Sequence, residues 1–238
     1  MNRLQAELRR LYALDTHESG QACLADAPGR VRAMVLALSQ PADWSALSKV
    51  WQGVQTAFNW PAPAIAVNGV DGYQLWFSLA ELLPLDQAVN AVQALAAHFL
   101  PDVAPERLSL WPAASPLATA VPPIETLTDQ WAAFVAHDLA PVFADTPWLD
   151  VPPSLDGQAD LLSRLASIQS ADLQAAILQL TPQAPHIDNN PEVSARALVR
   201  PSLDPKQFLL QVMNNEAVAL SLRIEAAKAL LPYFEPPR

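Results

Sequence analysis

Between Val31 and Leu38 the chain reads VRAMVLAL, a short apolar run of strand length closed by Ser39, Gln40 and Pro41. The period then changes. Trp44, Leu47, Trp51, Val54 and Phe58 recur at steps of three and four, behind Asp43 as an N-cap and ahead of Asn59 and Pro61. That spacing predicts a helix with both tryptophans facing inward. AIAVNG and GYQLWFSL follow as two strands joined near Asn68 to Gly72, because Asn, Asp and Gly tolerate the positive φ of tight turns. Pro84 and Asp86 open a second helix with the stripe Leu85, Val89, Val92, Ala96 and Phe99, and RLSLW at 107–111 returns to strand alternation. The order β-α-β-β-α-β predicts a split βαβ, ferredoxin- or RRM-like module over 31–114, a four-stranded antiparallel sheet with two helices on one face.

The rest of the chain reads differently. Residues 1–30 hold an amphipathic helix, with Leu4, Leu8 and Leu11 at helical spacing among Arg3, Glu7, Arg9 and Arg10, and then a turn-prone loop. Residues 115–125, SPLATAVPPIE, read as a proline-rich extended linker. Over 126–203 no strand is convincing: DQWAAFVAHDLAPVF, DGQADLLSRLASI and SADLQAAILQL each suggest a helix, with Asp156 and Ser170 as caps. Residues 204–238 form a helical hairpin, started by Asp204 and Pro205 and divided at Asn214-Asn215. The expected fold is therefore α+β, a split βαβ module followed by a mostly helical region.

Composition narrows the function classes. Apolar residues make up 51% and charged residues 16% of the chain, a globular composition, and 23 prolines against 6 glycines make the connections stiff. Cys23 is the single cysteine, read as structural, and a reducing compartment is the simpler expectation. No apolar run reaches the roughly 18–20 residues that a membrane-spanning helix needs, so a soluble, cytoplasmic protein without membrane association is expected. Residues 33–200 carry five basic side chains against sixteen acidic ones, a net charge of −11 and a poor surface for a phosphate backbone. Positive charge gathers at the termini, where nucleic-acid contact is more plausible than on the sheet.

Gly72-Tyr73-Gln74-Leu75-Trp76, entering a strand of the split βαβ unit, resembles the Gly-x-His-apolar-Trp strand of archaeo-eukaryotic-type primases and related primase-polymerases. The resemblance covers residues 31–112 and implies an RRM-like core. In that family, first-strand acids hold divalent metal, a histidine on this strand lies near the nucleotide phosphates, and a later strand adds an aspartate. Two bridged metals would there stabilise the attacking and leaving oxygens. This chain has Leu36-Ala37-Leu38-Ser39 at the end of the first strand, Gln74 in place of the histidine, and no acid from Leu108 to Trp111. Gln74 can donate a hydrogen bond but neither titrates nor carries charge. A degenerate primase-like module without polymerase activity, cofactor or metal is the expectation.

The RRM resemblance raises RNA binding as well. DGYQLWFS keeps only the Gly-Tyr start of that base-stacking pattern, with Asp71 where a basic residue is wanted. Strand alternation instead puts Tyr73, Leu75, Phe77 and Leu79 on the helix-covered face, and Gln74, Trp76 and Ser78 on the other. Trp76, Gln74 and Trp111 thereby form a candidate surface for a partner protein or for the chain's own helical remainder. Trp148, among Asp145, Asp150, Asp156 and Asp160, marks a second candidate in a partner-binding loop. His137-Asp138 and His186-Asp188 lack a third metal ligand in register. The C-terminal hairpin, PKQFLLQVMNN with LRIEAAKALLPY, is similar to a segment of phage small-terminase-like proteins, which implies DNA packaging and makes Arg223 and Lys228 candidates on a partner-binding helix. The reading is a non-catalytic interaction or scaffold protein linked to nucleic-acid processing or a mobile element, in bacteria or phage. A terminase-like DNA-binding adaptor and a residual nucleotide-binding enzyme are the alternatives.

Overall fold

The computed structural model describes residues 2–12, 15–16, 22–26, 29–112, 121–180, 223–224 and 227–228. One unit spans Met1–Gln183 and a second spans Ala184–Arg238. In the first unit the elements are α1 (Arg3–Tyr12), β1 (Asp15–Thr16), β2 (Ala22–Cys23), β3 (Arg30–Ser39), α2 (Trp44–Phe58), β4 (Ala64–Val67) and β5 (Gly72–Pro84). They continue with α3 (Leu85–Phe99), β6 (Leu108–Trp111), β7 (Ile124–Leu127), β8 (Gln130–Val135), α4 (Leu155–Ser163) and α5 (Ser170–Leu180). In the second unit the described residues Arg223, Ile224, Ala227 and Lys228 are helical. No helix among the described residues is long and apolar enough to cross a membrane.

The α+β class stands, but the sheet has six strands in the order β6-β3-β5-β4-β8-β7, every neighbour antiparallel, rather than four. Local chemistry starts its central part as expected. The Asp43 side chain accepts from the Ala46 N–H at 2.9 Å to start α2, and Asn59, at φ 54°, ends it. The α2–α3 crossing depends on Gly53, because a Cβ there would run into the Phe99 ring.

The extra strands replace an expected linker and helix. Ile124–Leu127 and Gln130–Val135 form a hairpin through Thr128 and Asp129, and β8 adds to the free edge of β4, with Ile65 opposite Val135 and Val67 opposite Ala133. WAAF suits either period. The open N–H and C=O row of β4 decides for strand, since it would otherwise lie buried without partners. Residues 136–154 are likewise not helical beyond a single 3-10 turn at Ala140–Phe143. Ser154 caps α4 in place of Asp156, receiving the Gly157 N–H, while Ser170 begins α5 and donates its hydroxyl to Glu81.

Both faces of the sheet are covered. Cross-strand partners set Leu36, Leu75 and Ile65 on the face packed by α2 and α3, and Val35, Trp76, Ala64 and Trp111 on the opposite one. That second face lies under α1, which also packs along α4. Beyond β4 the paired strands β3 and β5 lose register between Val31 and Ala33, and there Ile168 bonds β5 at Ser78 and Ala80 while Arg32 reaches the Leu79 carbonyl.

Candidate functional site

The strand carrying the primase-like resemblance begins at a turn organised by one side chain. Asn68 Oδ1 accepts the backbone N–H groups of Val70, Asp71 and Gly72, each at 2.9 Å, and Asn68 Nδ2 donates to Asp71. Gly69 supplies the left-handed step, φ 77°. This fixes where β5 starts and so which face each later residue takes.

Gln74 is half-buried and its Oε1 accepts the Trp76 indole N–H at 2.9 Å. The amide oxygen is thus engaged within its own strand. Trp76 has no solvent exposure: the Tyr12 ring of α1 lies 5.4 Å away and the Phe134 ring of β8 6.0 Å away. Next along the strand, Ser78 Oγ donates to the Leu11 carbonyl at 2.7 Å and lies 2.7 Å from Ser167 Oγ. Trp111 is on the same face, its partner Val35 being also the partner of Trp76, and it is 6% exposed. The tryptophan pair is therefore interior, not a surface available to a partner. Trp76 is covered by α1 and the Leu165–Ile168 segment, held by Arg10 donating to the carbonyls of Leu162 and Leu165 and by Arg3 paired with Asp160 at 2.7 Å. The fit leaves the Tyr12 hydroxyl and the Trp111 indole N–H buried without hydrogen-bond partners, and burial pushes the Tyr12 phenol far up.

At the positions where the family resemblance places acids, Leu36 and Leu38 are fully buried toward α2 and α3, and Ala37 pairs with Gln74. Among the described residues no group of three His, Cys, Asp or Glu side chains converges on a common ion position. His186 and Asp188, and most of residues 204–238, where a terminase-like hairpin was expected, lie outside the described residues; of the candidates there, Arg223 is partly and Lys228 openly exposed.

Trp148 belongs to a different surface. It is half-buried in the segment following β8, with its indole N–H donating to Asp150 at 3.0 Å. That segment is fastened to the sheet at three places: Tyr73 Oη donates to the Ala140 carbonyl, Gly69 N–H to Pro147, and Trp131 exchanges backbone bonds with Leu149. Despite those anchors Leu139, Val142, Val151 and Leu155 are between 50% and 71% exposed.

A further site escapes sequence reasoning. At the end of the β4–β8 pair, α2 on one face and the C-terminal turn of α4 on the other flank a half-open cleft of about 180 Å³. His137 stands at its margin, stacked on Trp51 at 4.0 Å, and Arg164, the C-cap of α4, lines it. Trp51, expected simply to face inward, is the middle member of the α2 apolar stripe, and nothing local in the sequence pairs it with His137. No family model and no curated protein matches the chain.

Proposed function

We propose that this chain is a non-catalytic interaction or scaffold module, built on a degenerate primase-like unit, that presents the segment from Asp138 to Leu155 to a protein partner. The observation carrying this reading is that Leu139, Val142, Val151 and Leu155 stay at least half exposed on a segment bonded to the sheet at three points. A mobile loop would expose apolar side chains only transiently; an anchored one offers a preformed contact and loses less entropy on binding. Asp138, Asp145 and Asp150 are interspersed with these side chains along the segment, which favours a partner with basic residues at the rim. The nucleotide-binding alternative draws less support, because α1 packs over Trp76 and the Gln74 oxygen is already bonded. The link to nucleic-acid processing comes from the Gly72–Trp76 resemblance.

The test is affinity capture from native extract with the wild type and with V142D/V151D, two exposed positions whose change should leave the melting temperature unmoved. A partner retained by the wild type and lost by the variant is expected. Equal capture by both removes the segment from the proposal, and metal-dependent nucleotide incorporation by the purified protein overturns its non-catalytic character.

A further inference from the structure

The cleft beside Trp51 has the properties of a small-molecule site. Its walls are apolar, built from Ile65, Phe134, Leu161 and Leu165 among others, and its volume of about 180 Å³ is close to that of cavities known to take up a benzene ring. The walls are also held in place. Trp51 donates its indole N–H to the Pro63 carbonyl at 3.1 Å, and Arg10 holds the backbone of Leu162 and Leu165 through bonds of 2.9 and 3.0 Å. A ligand therefore enters a preformed space rather than paying to create one.

Charge selects the ligand. Arg164 lines the cleft from the C-cap position just after α4, is exposed, and has neither an ion pair nor a side-chain hydrogen bond among the described residues. His137 adds a second nitrogen-bearing group, stacked on Trp51. The acid nearest along α4, Asp160, is paired with Arg3. An Arg fork beside a ring-sized apolar space matches a carboxylate on a compact apolar body.

We infer that this cleft binds a small aromatic or aliphatic monocarboxylate, the apolar part between Trp51 and α4 and the carboxylate on Arg164. The test titrates the full-length protein with benzoate while following the Trp51 indole N–H by NMR, its signal identified with W51F. Benzoate should shift that signal with a Kd on the order of 1 mM. Its neutral counterpart benzamide should bind about tenfold more weakly, and R164Q should lose about the same factor for benzoate, with R164K intermediate. The inference is overturned if benzoate leaves the signal unmoved, if benzamide binds equally well, or if R164Q holds benzoate as tightly as the wild type.

Discussion

Asn68 shows how much of the molecule one side chain can determine. Its single oxygen serves three backbone donors in a half-buried turn. Asn68→Ala would strip all three at once, and a loss of about 1–3 kcal/mol is expected, measurable as a lower urea midpoint. Tyr73, five residues on, connects the fold to alkaline pH. Burial, with the Asp145 carboxylate adding to it, pushes its phenol up to about 12. The folded pKa thus exceeds the unfolded one near 10, so this contribution is complete below pH ~10 and is lost as pH rises toward ~12. Urea unfolding at pH 8 and pH 11 should show the loss, and Tyr73→Phe should flatten part of it, the buried Tyr12 contributing the remainder. Residues of this kind were readable in advance: Asp43, Asn59 and Asn68 act through bonds within a few positions. The destination of Trp76 was not, because what covers it comes from residues far away along the chain.

The most telling element is β8. Its N-terminal half is paired with β7, but β7 begins only at Ile124, opposite Ala132, and Phe134 would be left with both backbone groups unpaired. Gln158 of α4 supplies the missing strand with one side chain: it accepts the Phe134 N–H at 2.8 Å and donates to the Phe134 carbonyl at 2.9 Å, at 5% exposure. Gln158→Leu keeps the size and removes both bonds, leaving two buried groups unsatisfied. A loss of about 2–4 kcal/mol is expected, with faster amide exchange at Phe134. A leucine that left the exchange unchanged would mean water replaces the amide. Here sequence reading and structure part. QWAAFV is rich in alanine, and its apolar residues form one block, so neither period stands out; the free edge of β4 makes it a strand. Gln158 likewise looks like an ordinary polar position on an amphipathic helix, since the vacancy it fills exists only in three dimensions. The elements from β3 to β6 were legible because each has a clear period and its own local start and stop.

At the scale of the whole unit, α1 is what makes the sheet two-sided. Leu4, Leu11 and Tyr12 are all buried, and at about 1.5–3 kcal/mol for each such side chain they supply several kcal/mol of a total stability of roughly 5–15. Leu11→Ala should cost about 2–5 kcal/mol. Removing residues 1–12 should abolish the cooperative thermal transition, shift tryptophan emission to the red and permit binding of a hydrophobic dye. A truncated protein that kept its transition and its blue emission would show that other segments can take over the cover. The bonds securing α1 also set a schedule for biosynthesis, since Arg10 meets Leu165 across 155 residues. At roughly 5–20 residues per second, the ribosome delivers the second partner on the order of ten seconds after the first. α1 is made before the sheet it covers, but until Leu162 and Leu165 emerge Arg10 has no carbonyls to hold, so the newborn chain carries its tryptophan-bearing side under a cover that is not yet fastened.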